Sequence, residues 1–147
     1  MKMTPDQFDK RRKQASPNSA LWPDCLWAFG VGGGICLLGE VLRQLYLGLG
    51  MEKQAAGTLV SASLILLSGI ATALGWYHKL AEKAGAGTLV PITGFANAVV
   101  SPAIEFKAEG LVTGVGAKMF TIAGPVIVYG AAASVVYGVV YWVIAAF

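Results

Sequence analysis

AAGTLVSASLILLSGIATALGWY, residues 55–77, contains no Asp, Glu, Lys or Arg. As a helix it reaches about 34 Å at 1.5 Å per residue, enough to cross a hydrocarbon core of roughly 30 Å. Its inner stretch from Ser61 to Leu74 mixes Ala, Leu, Gly and Ser without alternating polarity, whereas strands of a membrane barrel alternate over about ten residues. Residues 84–104 and 119–147 are likewise free of charge. Three such runs in 147 residues leave almost nothing polar to cover them, so burial inside a soluble protein is excluded. Composition agrees, with 56% hydrophobic and 13% charged residues and a mean hydropathy of +0.64. A globular domain is about 25% charged.

On the N-terminal side, residues 1–24 are polar, hold Pro5, Pro17 and Pro23, and gather Lys10, Arg11, Arg12 and Lys13. They read as a cytoplasmic basic leader that includes a short amphipathic helix lying on the membrane. The net charge of +3 comes largely from this cluster. It is too small, and too poor in interleaved aromatic residues, for a nucleic-acid surface. The first apolar stretch starts only after Pro23 and ends in Glu40 and Arg43, which predicts an uncleaved anchor rather than a secretory signal. Five Lys/Arg precede the first span, Lys53 alone marks the first loop, and Lys79 and Lys83 mark the second. The positive-inside rule then sets the N-terminus and second loop in the cytoplasm and the first loop outside. Trp22, Trp27, Trp76, Tyr77, Tyr141 and Trp142 fall near the ends of apolar runs, where amphipathic rings settle at the interface. Cys25 and Cys36 are three helical turns apart, too far to bond to each other.

The centre of the chain reads differently. Pro91, Gly94, Pro102, Gly110, Gly114, Gly116, Gly124 and Pro125 punctuate it every few residues, so one continuous helix is not expected. Irregular backbone at membrane depth survives only inside protein or beside water, which predicts an internal position. Pro125 suits the first turn of a final helix. The expected fold is all-α and polytopic: a leader at 1–24, then one transmembrane domain at 25–147. Its full spans fall near 25–49, 55–77 and 125–147. Between the second and third lie broken half-helices near 86–104 and 110–124, which either cross or dip in and return. The pentapeptide AGTLV recurs at 56–60 and 86–90, but without flanking similarity it does not establish a repeat.

Candidate chemistry concentrates in residues 91–130, where Glu105, Lys107, Glu109 and Lys118 sit between apolar segments. On a helix, Glu105 and Glu109 share a face, and their repulsion calls for a cation, a proton or a lysine. A transient Ca²⁺ site with oxygens of Asn97 or Thr93 fits that demand; a solvated loop is the plainer alternative. Half-helix N-termini offer N–H groups and partial positive charge to an anionic solute such as a dicarboxylate. Glu40 and Arg43, three residues apart in the first span, mark either a pathway or side chains that reach the far headgroups. Gly30-x-x-x-Gly34 and Gly110-x-x-x-Gly114 would let helices approach closely.

An enzyme finds little support. His78 is the only histidine, no Ser/His/Asp, CxxC or HExxH arrangement exists, and the glycines at 30–34 lack the dinucleotide-binding spacing. No cofactor is expected.

The stretches PITGFAN at 91–97, SPAIEFKAEG at 101–110 and GAKMFTIAGPVIVYG at 116–130, with the basic leader and the glycine-rich first span, resemble the SpoVA family of spore membrane proteins. The resemblance covers nearly the whole chain. It implies residence in the inner membrane of forespore and spore, and passage of dipicolinic acid chelated with Ca²⁺, inward in sporulation and outward on germination. It also implies two partners, a paralogous membrane subunit AE-b and a soluble dipicolinate-binding subunit AD. The positions it carries over are Pro91, Gly94, Phe95, Asn97, Glu105, Phe106, Glu109, Gly110, Gly116 and Gly124, without individual roles. A different function is a structural or tension-sensing membrane subunit whose partner forms the pore.

Overall fold

The computed structural model describes residues 20–146, together with Phe8 and Arg11. Most of the expected basic leader and its amphipathic helix lie outside the described residues.

Helix α1 runs Leu21–Gly48. It begins before Pro23 because a proline in the first turn has no N–H to waste there. It ends where Gly50 takes φ +85. The N–H of Gly50 then reaches Leu47 O at 3.0 Å and that of Met51 reaches Tyr46 O at 3.2 Å, the paired closure of a Schellman turn. The short turn sends α2, Lys53–Ala73, back alongside α1. At the end of α2 a second left-handed glycine, Gly75 with φ +71, turns the chain again. The amphipathic α3, Trp76–Ala84, follows and buries Tyr77 and Ala84. Gly85 (φ +46) breaks it from the four-residue α4, Ala86–Leu89. Pro91 then caps α5, Ile92–Glu105. A 3₁₀ turn at Lys107–Glu109, Gly110 with φ +99 and a π-helical stretch at Leu111–Gly116 lead into α6, Ala117–Ala146.

The fold is all-α, with no strand among the described residues. Among the described residues three stretches are long and apolar enough to cross a membrane: Leu21–Gly48, Lys53–Ala73 and Leu111–Ala146. The intervening α5 is 14 residues long, about 21 Å, which is short of a crossing. α1 packs on α2, α3 and α4, while α5 packs chiefly on α2 and α6. The Lys83 ammonium lies 5.8 Å from the centroid of the Trp27 ring, so the start of α1 and the loop helix α3 share one end of the molecule. The buried core is small and made largely of small residues: Ala56, Ser68, Thr88, Thr93, Ala96 and Ala123 beside Leu64 and Tyr77. Membrane helices gain no hydrophobic drive from lipid and rely on such close packing.

Two sequence expectations change. Pro125 lies inside α6, two turns beyond its start, instead of opening it. Membrane helices tolerate an internal proline because neighbouring groups take up the freed carbonyl. The glycine pairs also act differently. Gly30 and Gly34 face open space, and the close contact falls on Gly32, where a Cβ would lie 3.3 Å from Gly87 Cα. Gly110 serves a turn, and Gly114 folds onto the Phe106 carbonyl rather than onto a second long helix. The two AGTLV copies lie in unlike settings, one in the first turns of the long α2 and one supplying all of α4 and the residue after it.

Candidate functional site

Broken helices leave backbone groups without partners, and in this chain side-chain hydroxyls meet them. Tyr77 is buried, and its hydroxyl donates to Thr88 O at 2.7 Å and lies 3.1 Å from Thr93 Oγ1. Ser68 Oγ, from α2, donates to Thr93 O at 2.6 Å. One turn on, Thr72 Oγ1 donates to Ser68 O at 2.8 Å and lies 3.0 Å from the Asn97 carboxamide oxygen. Thr88 Oγ1 closes on Gly85 O at 2.9 Å. These six polar residues form one seam joining α2, α3, α4 and α5. No buried side-chain nitrogen or oxygen among the described residues lacks a partner.

Two glycines let the backbones come together there. A Cβ on Gly87 would collide with the Ala28 carbonyl of α1, and one on Gly94 with the carbonyls of Thr88 and Leu89. Beside the seam opens a recess of about 260 Å³ lined by Tyr77, Ala81, Gly85, Thr88, Leu89, Gly94 and Asn97. It presents a carboxamide, a phenol and a threonine hydroxyl in an otherwise apolar setting, groups suited to a polar solute or to water.

Of the residues singled out from sequence, the structure brings Thr93, Gly94 and Asn97 together here, with Pro91 as the cap of α5. The charged set lies elsewhere. Glu105 ends α5 and is exposed, and Lys107 and Glu109 occupy the exposed 3₁₀ turn. Because α5 stops at Glu105, the two glutamates do not share a helical face as their i,i+4 spacing suggests. Asn97 and Thr93 are two and three turns back along α5, about 12 and 18 Å from Glu105, so they cannot complete one Ca²⁺ shell with it. No group of three or more His, Cys, Asp or Glu suited to a metal occurs among the described residues. Lys118 sits apart, its ammonium 4.3 Å from the centroid of Phe106, a cation–π contact beside a recess of about 240 Å³ lined by Pro102, Phe106, Lys118, Thr121 and Ile122.

Of the positions expected to break helices, Pro91 and Gly110 do so, and Gly116 closes the π stretch. Gly94, Pro102, Gly124 and Pro125 lie within helices. Glu40 and Arg43 form an ion pair at 2.8 Å on α1, joined by Gln44 Nε2 donating to Glu40 at 2.7 Å. The functional reading of the sequence passes over Ser68, Thr72 and Thr88, and it assigns Tyr77 to the interface. The i,i+4 pair Ser68/Thr72 within the cleanest apolar run is the signal that marks the seam, since hydroxyls at membrane depth seek partners on neighbouring helices.

A family model described as SpoVAC/SpoVAEB sporulation membrane protein matches residues 24–140. The chain belongs to this family. It is also 40% identical over 136 residues to stage V sporulation protein AC of Bacillus subtilis (strain 168), covering 92% of this chain and 91% of that protein. No solved structure matches. Membership makes the chain a sporulation membrane protein, consistent with its three apolar helices. The family match includes the whole seam, all of α5 and the segment leading into α6.

Proposed function

We propose that this chain is a membrane subunit of a passage that moves dipicolinic acid, as its Ca²⁺ chelate, across the inner spore membrane, inward in sporulation and outward on germination. The observation that carries the reading is the polar seam and recess at Tyr77, Thr88, Thr93 and Asn97, set where α4 and α5 interrupt an apolar chain. A broken-helix site with convergent polar groups is the arrangement by which membrane transporters hold solutes at depth. In this reading the N-terminus is cytoplasmic, α4 and α5 dip into the membrane and return, and the exposed Glu105, Lys107 and Glu109, with the half-buried Lys118, lie at the mouth of the passage. The carboxylates there meet Ca²⁺ or gate, and the lysines meet the carboxylates of the solute. Partners are the paralogous membrane subunit AE-b and the soluble dipicolinate-binding subunit AD.

A second reading makes this chain a structural or tension-sensing subunit whose partner supplies the pore. It is favoured by α6, whose residues from Pro125 to Ala146 are all exposed in the isolated chain. Reconstitution separates the two: dipicolinate flux from liposomes holding this chain alone supports a self-sufficient passage, and flux only with AE-b supports a shared or partner pore. Spores carrying Glu105→Gln with Glu109→Gln test the mouth. Reduced dipicolinate content or slowed release is expected, and normal values for both would remove these carboxylates from the mechanism.

A further inference from the structure

The Glu40–Arg43 pair lies deeper in the membrane than its sequence position suggests. Helix α2, with 21 residues, is about 31 Å long and so matches the hydrocarbon core, with Lys53 at one boundary. A Cβ on Gly39 would lie 3.5 Å from Leu64 Cδ1 and 3.8 Å from Val60 Cγ1. Those residues are about 16 and 10 Å in from Lys53. Glu40, the next residue of α1, is therefore near the middle of the bilayer, and Arg43 is one turn nearer the surface. Tyr46 agrees, since its hydroxyl meets Ser63 Oγ at 2.7 Å, about 15 Å in from Lys53.

Glu40 turns away from the rest of the chain, and Arg43, four residues after Gly39 and three before Tyr46, flanks the packed side and is half-buried. Gly39 and Tyr46 mark the packed side of α1, and the Glu40 and Arg43 side chains are 50% and 43% exposed. Nor does Arg43 reach for the nearer surface. Its Nε and Nη2 both donate to Glu40 at 2.8 Å, toward the N-terminal end of α1 and hence toward the bilayer centre. This is the direction in which helical side chains lean. Only two of the five guanidinium N–H groups are used on Glu40. Ionisable groups at such depth do not face lipid; they meet other polar groups or water.

We propose that the face of α1 carrying Glu40, Arg43 and Gln44 is a wall of a water-filled passage, where the free N–H groups of Arg43 meet acceptor oxygens of the passing solute. This deepens the passage reading and rests on it. Cys36, one turn before Glu40 and exposed, is a built-in reporter on that face, and Cys25 near the start of α1 is the control.

The test uses the full chain in its native membranes, with Cys25→Ser isolating Cys36 and Cys36→Ser isolating Cys25. Both are treated with membrane-impermeant thiosulfonates, one anionic and one cationic. Cys36 is expected to react. Glu40→Gln, one turn from Cys36, should raise the anionic-to-cationic rate ratio there by about tenfold, and Arg43→Gln, two turns away, should lower it by about fourfold. Cys36 that stays inert while Cys25 reacts would mean that lipid or protein covers the face, and would overturn the proposal. A ratio indifferent to both substitutions would overturn it as well. Labelling is read on the thiol without any flux. Opposite ratio shifts in spores whose dipicolinate content is unchanged by Arg43→Gln would keep the wall and remove dipicolinate as its solute.

Discussion

The segment from Gly85 to Glu105 and the helix from Pro125 to Ala146 are both free of charge apart from Glu105, yet they are held in opposite ways. The first is short, broken and hydrogen-bonded to its neighbours, with Gly87 and Gly94 pressed against other backbones. The second is a long continuous helix end in which every residue is exposed. Apolarity thus does two jobs in this chain: around the seam it accompanies specific packing, and along the outer two-thirds of α6 it presents a surface to lipid or to another chain. Substitutions should separate the two regions, the same change being damaging in one and silent in the other.

The largest effect is expected from Gly94→Val. Its side chain would collide with the Thr88 and Leu89 carbonyls, and backbone cannot move aside as a side-chain tip can. Overpacking costs about 1–3 kcal/mol and at times more. Folded yield in detergent and melting temperature should both fall, and an unchanged melting curve would show that this contact is not tight. Gly130→Val on α6 meets open space and should change the stability of the isolated chain by less than about 0.5 kcal/mol.

Tyr77→Phe comes next. It keeps the ring and deletes the hydroxyl that serves Thr88 O and Thr93, leaving a buried carbonyl unpaired at a cost of about 1–3 kcal/mol. The melting temperature should drop, and Tyr137→Phe on α6, exposed in the chain, should leave it in place. A smaller loss, about 1 kcal/mol, follows Ser68→Ala, which removes the donor to Thr93 O. Equal melting temperatures for Ser68→Ala and for Ser134→Ala, whose hydroxyl serves only its own helix, would erase the contrast.

Much of this fold is legible in the sequence because membrane solvation acts on runs of residues. Uncharged runs mark the second and third spans, the first is apolar despite Glu40 and Arg43, and the Gly/Pro density between Pro91 and Gly116 marks why the uncharged run at 84–104 does not cross. Boundaries are less legible: α6 starts at Ala117 because a proline that ends a helix in water is tolerated at membrane depth. The site divides similarly. Asn97, Thr93 and Gly94 stand out beside a proline in an apolar stretch, but Tyr77 does not, since an aromatic residue at the end of a span equally serves as an interfacial anchor. Only the left-handed turn at Gly75 swings it inward. The Glu105/Glu109 spacing misleads because a local period presumes a continuing helix, and α5 ends between them. The depth of Glu40 depends on the register between α1 and α2, a tertiary fact that counting along one helix does not supply.

Asn97 gives the most direct test of the seam as the working part. Its carboxamide faces the recess, while Thr72 also holds Ser68 O, so Asn97→Ala should leave the fold standing. In liposomes reconstituted with this chain and its paralogue, dipicolinate efflux should fall about tenfold, the equivalent of about 1.4 kcal/mol, with an unchanged melting temperature. Efflux equal to that of the unsubstituted chain would contradict the assignment of the seam to the solute path.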